Sequence, residues 1–397
     1  MRFIKKTRRG KERIISIFGI EFKYHRSVKD FVLRNVFNTS FDKKVLISYL
    51  TSPFTQGLFK KHTNRLECYT AAEIFNELGY QVDVIGLDDK ISSEQLKEYD
   101  IVYGFGQAFC MALTHPLVKT IYYGTGTCLR YSNIATINKI RDFYNTHGVW
   151  CPKSGRVLNN SAEMTLYFAD MIIPLGNDFV ANTYRVSDKK QNIKNLCCFY
   201  YDAYDIDINQ KAISNIKNNF LWFGSLGCLH KGLDIVIDIF KRRPDLNLTI
   251  AGANLREEEF YKYYQDVFDG RVANIKYYDF VDIESDSFKK LMDNNIATVF
   301  PSVSEGSAPS VLNVMANGGL IPIISKSCGL DVGHYGFMFD TIDIATVEQK
   351  IDKLRDLDDD RLRKLSLQVK DETRQIYSYV NYKNNLKHII SSFLEEK

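Results

Sequence analysis

The chain contains no run approaching the roughly 18 consecutive apolar residues of a membrane-spanning helix, so no such helix is expected. Its best apolar stretch near the start, Ile14 to Ile20, is at the short limit for a signal-peptide core. No small-residue cleavage site follows, so no secretory leader is expected. Cysteine is scattered as Cys68, Cys110, Cys128, Cys151, Cys197, Cys198, Cys228 and Cys328. There is no Cys-x-x-Cys and no His/Cys cluster at metal-ligand spacing, so neither a zinc site nor a disulfide framework is expected. The cysteines read as reduced thiols of a cytoplasmic protein. The acidic loop Asp279, Asp282, Glu284, Asp286 lacks the glycine and the distal glutamate of a calcium loop and is expected to be a solvated turn. No internal repeat or low-complexity tract is present.

What the chain does have is length and a large apolar fraction. At 397 residues, 45% hydrophobic and 25% charged, it exceeds the usual limit of one core and is expected to form two domains. Its 24 Tyr and 26 Phe suit a large core. Charge is unevenly placed. Residues 1–40 hold eleven Lys or Arg against three acids, a net of +8, which leaves −4 on the rest of a chain whose total is +4. A basic leader of this kind, residues 1–42, can rest on an anionic membrane face at about 1 kcal/mol per basic residue near the surface. Nucleic acid is the competing partner. It is disfavoured because the remainder is acidic and shows no recognition module. The competing reading of the leader is a solvated, partly ordered segment.

Residues 298–325, TVFPSVSEGSAPSVLNVMANGGLIPIIS, carry the most information. A strand ending at Phe300 runs into Pro301 and a Ser-Glu-Gly turn. A short helix then begins near Pro309 and stops at Gly318-Gly319, and a second apolar strand, Leu320 to Ile324, follows. This is the βαβ unit of a parallel sheet, and it puts Glu305 where the carboxyl end of a strand meets a helix N-terminus. Residues 219–243 repeat the theme. Phe220 to Phe223 is a strand, Gly224 to Gly232 a glycine-punctuated loop, and Leu233 begins a helix whose Leu233, Val236, Ile239 and Phe240 share one face. Lys231 sits beside that loop, where backbone N–H groups can approach a phosphate. Upstream, strands at residues 44–49, 81–85, 101–104, 120–123 and 171–175 alternate with helices, predicting a doubly wound parallel sheet. A polar, turn-rich stretch, 199–217, reads as a linker, and residues 380–396 have a helical apolar face.

Three motifs together resemble nucleotide-sugar glycosyltransferases of the GT-B fold, close to glycosyltransferase family 4, the glycosyl transferases group 1. They are Gly224…Lys231-Gly232, Pro301-Ser302-Val303-Ser304-Glu305-Gly306 and Gly319-Leu320-Ile321-Pro322-Ile323-Ile324. The match is specific over residues 218–375, whereas the N-terminal half agrees in layout only. The resemblance implies an α/β protein of two Rossmann-like doubly wound domains facing a cleft. An acceptor domain would span 43–198 and a donor domain 218–375, with a C-terminal helix, 376–397, crossing back to the first. It implies a retaining enzyme that moves a sugar from a nucleoside-diphosphate donor to a glycan or lipid-linked acceptor, in a setting such as bacterial surface polysaccharide synthesis. It also implies no cofactor and no metal.

By position, Lys231 would pair with the donor diphosphate and Glu305 with sugar hydroxyls, the two residues most tied to catalysis. Gly224, Ser225, Gly306, Ser307, Ala308 and Asn313 would complete the donor site. Two positions depart from the family pattern. Asn313 stands where a ribose-binding glutamate is usual, and Ser225 where an arginine is frequent, which leaves Lys231 to face the phosphates with help from His230. On the acceptor side the loop after Tyr123 offers Thr125, Gly126, Thr127 and Arg130, without the histidine that related sequences place there. His62, Arg65 and Arg130 could bind an acceptor or phosphate, and the competing reading, ranked first, makes each an ordinary surface residue. Two rivals stand beside this reading: a nucleotide-sugar-binding partner subunit without transfer, and an epimerase, which would need clustered acids and bases that the sequence does not offer.

Overall fold

The computed structural model describes residues 4–9, 12–17, 20–25, 31–58, 62–158, 163–186, 190–253 and 256–396. Near the start, β1 (Ile4–Arg9), β2 (Glu12–Ile17) and β3 (Ile20–His25) form an antiparallel meander. The next sheet holds β4 (Lys43–Tyr49), β5 (Tyr80–Gly86), β6 (Ile101–Gly104), β7 (Lys119–Gly124) and β8 (Met171–Pro174). Its strands are all parallel, in the order β5-β4-β6-β7-β8. The second large sheet holds β9 (Asn219–Phe223), β10 (Asn247–Ala251), β11 (Ile275–Tyr278), β12 (Ala297–Phe300), β13 (Ile321–Ser325) and β14 (Phe337–Phe339). It too is parallel, in the order β11-β10-β9-β12-β13-β14.

These strands read as nearly unbroken apolar runs because helices cover both faces of a parallel sheet. Val45, Leu46 and Ile47 on β4, and Phe220, Leu221 and Trp222 on β9, are fully buried. The first sheet follows the flavodoxin-like strand order and the second the Rossmann order. Each therefore has a switch point where successive crossovers turn in opposite directions and leave a crevice at the carboxyl ends of the strands. In the second sheet that point lies between β9 and β12.

Two segments differ from expectation. The leader read as 1–42 ends earlier, because residues 31–38 belong to the first domain. Leu33 and Val84 exchange backbone hydrogen bonds of 2.8 and 2.9 Å, and Val36 N–H reaches Val82 O at 2.9 Å, covering the edge of β5. Buried Asp83 fixes this segment by accepting from Asn35 N–H at 2.7 Å and from Arg34 at 3.1 Å. The stretch read as a polar linker, 199–217, is a packed crossing in which Phe199, Tyr201, Ile206 and Ile208 are buried. Its backbone is held by the helix Pro309–Gly318. Asn317, fully buried there, accepts from the N–H groups of Ala203 and Tyr204 and donates to Tyr201 O. The polar letters of this stretch conceal its aromatic and aliphatic side chains, which turn inward.

The helix Tyr379–Glu395 lies against the first domain, as the GT-B expectation requires. The Tyr382 and Tyr123 hydroxyls meet at 2.9 Å, as do the Tyr379 and Thr70 hydroxyls. Lys383 pairs with Glu73 at 2.6 Å, and Lys387 with Glu77 at 2.8 Å. Apolar burial, rather than these half-exposed pairs, should carry the docking. Leu386→Ala, at a fully buried position, should lower unfolding stability in urea by about 2–5 kcal/mol. Lys387→Ala should cost no more than about 1 kcal/mol.

Candidate active site

The loops that follow β9 and β12 meet at the switch point of the second sheet. Residues 224–232 connect β9 to the helix Leu233–Arg242. Gly232 has a φ of 67° and lies so close to the Pro301 carbonyl that a side chain there would collide with it. Glu257, buried beneath the loop, accepts from the N–H groups of Gly227 and Cys228 at 2.6 and 2.9 Å. Residues 301–308 connect β12 to the helix Pro309–Gly318. Ser307 and Ala308 take φ values of 54° and 30°, a conformation that costs a non-glycine residue energy and that tight surroundings must hold in place.

Between these loops Lys231 Nζ forms a buried ion pair with Glu305 Oε1. Ser302 Oγ donates to the same carboxylate at 3.2 Å, and the Lys231 ammonium also lies 5.4 Å from the centroid of the Phe300 ring. Burial pushes the Glu305 carboxyl up. The Lys231 ammonium, the Arg156 guanidinium and the remaining partners outweigh it and hold its pKa at about 2. Glu305 is thus an ionised acceptor at working pH and a poor proton donor or base.

His230 is different in kind. It is 2% exposed, and burial lowers its pKa to about 4. Its Nε2 faces the Ser304 carbonyl at 2.5 Å, and a carbonyl can only accept, so Nε2 carries the proton. Nδ1 then accepts from Thr136 Oγ1–H at 2.8 Å. The expected help from His230 at the phosphates is therefore withdrawn: it is neutral and both ring nitrogens are used.

The cleft beside this pair has a volume of 400 Å³. From the second domain it is lined by Gly224, Ser225, Lys231, Asp282, Glu305, Pro309, Ser310 and Asn313, among others. From the other side come His62, Thr63, Arg156 and Tyr201. Of the expected donor residues, Gly224, Ser225, Lys231, Glu305 and Asn313 come together here. Asn313 arrives partly occupied, since its Oδ1 accepts from Tyr201 N–H at 2.8 Å. Gly306, Ser307 and Ala308 do not line the cleft. Gly306 packs on the first domain, where an added side chain would meet Gly126 Cα at 2.6 Å and Thr125 O at 2.7 Å. Ser307 is buried and its Oγ accepts from Cys198 N–H at 3.2 Å.

The expected acceptor loop is likewise corrected. Thr125, Gly126, Thr127 and Arg130 do not line the cleft. Thr127 Oγ1 meets Ser304 Oγ at 2.5 Å, and Tyr184 donates to Gly126 O at 2.7 Å. The loop is a seam between the domains. A second part of that seam is the buried pair Lys139–Asp234 at 2.6 Å, joining the helix Leu129–His147 to the helix Leu233–Arg242.

Two further residues line the cleft. His62, which the sequence offered as an acceptor or phosphate ligand but ranked first as a surface residue, is exposed on the cleft wall, and desolvation there lowers its pKa. Its Nδ1 accepts from Asn64 N–H at 3.2 Å, so its neutral form carries the proton on Nε2 and can serve as a donor there. Arg156 lies in an irregular loop with no motif around it, and no sequence signal marked it. A larger concavity, 510 Å³, opens at the opposite end of the second sheet among Asn219, Asn247, Asn274 and Asn294, away from the switch point. Among the described residues no group of three or more His, Cys, Asp or Glu is placed to hold a metal ion, and no helix is long and apolar enough to cross a membrane.

Residues 205–372 match the model for "Glycosyl transferases group 1". The chain carries a glycosyl transferases group 1 domain within the GT-B fold. Among solved structures, HepE of Anabaena bound to UDP and glucose is similar at 14% identity and a TM-score of 0.57, covering 89% of this chain and 100% of that one. A glycosyltransferase from Rickettsia africae aligns at 11% identity and a TM-score of 0.58, covering 90% and 100%. The lipopolysaccharide outer core galactosyltransferase WaaB, in its apo form, aligns at 13% and 0.57, covering 88% and 99%. At these identities the likeness concerns the fold. No curated protein matches the chain in sequence.

The buried neutral histidine gives the glycosyltransferase a pH signature. Between pH 6.5 and 4 the unfolded chain binds a proton at His230 that the folded chain refuses, so stability falls as pH falls through that window. The loss from this group should be about 2 kcal/mol between pH 7 and 5 in denaturant titrations, and His230→Gln should flatten that slope. Glu305, whose pKa is depressed from 4.5 to about 2, adds a further loss only below pH 4.5.

Proposed function

We propose that the protein transfers a sugar, with retention of anomeric configuration, from a nucleoside-diphosphate sugar to a glycan or lipid-linked acceptor. The observation that carries this reading is the Lys231–Glu305 pair at the switch point of the second sheet, inside the matched family region. An ammonium beside a glycine loop suits a diphosphate. A carboxylate held ionised suits the hydroxyls of a hexose. The sugar would lie at Glu305, the diphosphate at Lys231 and the Gly224–Ser225 turn, and the ribose near Asn313. Lys231 would stabilise the charge that grows on the leaving phosphate, the task a metal performs elsewhere, so no metal or other cofactor is called for.

Retention is what the resemblance to glycosyl transferases group 1 implies. Glu305 is too weak a base for the alternative, and the neutral His62 presents an N–H. In the proposed step the bond from the sugar's anomeric carbon to phosphate breaks as that to the acceptor oxygen forms on the same face. The acceptor proton then passes to the leaving phosphate oxygen. Solved relatives in complex with UDP and a sugar make UDP-sugars the first donors to test. With Asn313 Oδ1 committed to Tyr201, ribose affinity should be modest. That observation keeps the rival reading, donor binding without transfer, in contention.

Thermal unfolding in the presence of UDP, GDP, ADP and CDP, with and without common sugars, tests the reading. A ligand at a hundred times its dissociation constant adds about 2.7 kcal/mol of stability. One nucleotide should raise Tm clearly, and Lys231→Ala should abolish both that rise and product formation. Retained turnover in Lys231→Ala would remove the phosphate role, and binding without any transferred product would select the rival. Localisation on the inner face of a cytoplasmic membrane is proposed from the basic residues of segment 1–40. Deleting that segment should end co-sedimentation with anionic vesicles.

A further inference from the structure

The charges around the cleft do not balance for a diphosphate ligand. Among the described residues lining it, the cations are Lys231 and Arg156. Lys231 is already matched by Glu305 in a pair only 7% and 9% exposed. His230 is neutral and shielded, and burial lowers the pKa of His62. Asp282 adds an acid to the lining from the second domain. A nucleoside-diphosphate sugar brings two negative charges into this space, and Ser225 contributes none to offset them.

Arg156 is placed to supply the missing charge. It follows the 3-10 turn Pro152–Ser154 of the first domain and reaches across to the second. Its stem lies against Gly227, where an added Cβ would meet Arg156 Cγ and Cδ at 2.9 Å. The backbone beneath is braced by Ser154 O, which accepts from His230 N–H at 3.2 Å. The guanidinium is exposed and makes no hydrogen bond or ion pair among the described residues. It already acts on Glu305, where it is the second-strongest influence lowering the pKa.

We propose that Arg156 is the second diphosphate-binding cation of the donor site, supplied by the opposite domain, so that a bound donor ties the two domains together. This rests on the nucleotide-sugar reading above. A guanidinium offers a planar pair of N–H donors that fits phosphate oxygens two at a time, and this one comes from the first domain rather than from the β9 loop. Gly227 is part of the device, since the stem can lie flat on the loop only where no side chain stands.

Calorimetric titration of the full chain with UDP and with uridine, which lacks the phosphates, tests the proposal. Arg156→Met keeps the stem and removes the charge. It should weaken UDP about 10- to 100-fold, the range for a charge-assisted hydrogen-bonded contact, and leave uridine binding unchanged. Arg156→Lys should retain most UDP affinity. Both variants should unfold at the wild-type temperature without ligand, since the side chain is exposed. Wild-type UDP affinity in Arg156→Met would overturn the proposal and leave the nucleotide-sugar reading standing. Equal losses for UDP and uridine would also overturn it, by showing a general disturbance of the cleft. A wild-type chain that binds none of UDP, GDP, ADP and CDP would overturn both readings.

Discussion

A lysine and a glutamate buried side by side at the edge of a parallel sheet impose conditions on everything around them. Removing two charges from water is costly, and their attraction repays it only when the remaining donors and acceptors are satisfied. Here Ser302 gives Glu305 a further hydrogen bond and the Phe300 ring lies under the Lys231 ammonium. The Lys231 carbonyl accepts from the Trp222 indole at 3.3 Å. The loops bearing the pair must then approach closely. Gly232 against Pro301 allows this, and Glu257 beneath the β9 loop holds it.

Burial explains the neutrality of the neighbouring His230. Desolvation drives its pKa down, with the Glu305 carboxylate opposing and the Lys231 and Arg156 cations assisting. As a neutral ring it becomes a joint, with one nitrogen on Ser304 of the β12 loop and the other on Thr136 of the first domain. The Lys139–Asp234 pair and the Thr127–Ser304 hydroxyl contact continue this seam. The two domains thus touch along one side of the cleft, where the Arg156 stem lies on Gly227 of the β9 loop.

Much of the fold was legible in the letters. Unbroken apolar runs such as Val45 to Ile47 and Phe220 to Trp222 alternate with helices, which is the mark of strands covered on both faces. Lys231 and Glu305 were legible for a related reason. Each sits at a strand end flagged by glycine or proline, and local chain chemistry is enough to put it at a sheet edge. Gly306, Ser307 and Ala308 share that local signal, yet they turn away from the cleft because the first domain presses on them.

What the sequence by itself determined was the βαβ succession, the two-domain plan and the placing of Lys231 and of Glu305 each at a strand end, since these follow from length, periodicity and turn chemistry within short windows; their pairing came from the tertiary structure. Only the tertiary structure decided the rest. It made the 199–217 stretch a packed crossing held by Asn313 and Asn317, turned the Thr125–Thr127 loop into a seam, and brought His62 and Arg156 to the cleft. The reason is physical. Those positions depend on which surfaces of two separately folded sheets meet, and contacts between residues far apart in the chain leave no periodic trace along it.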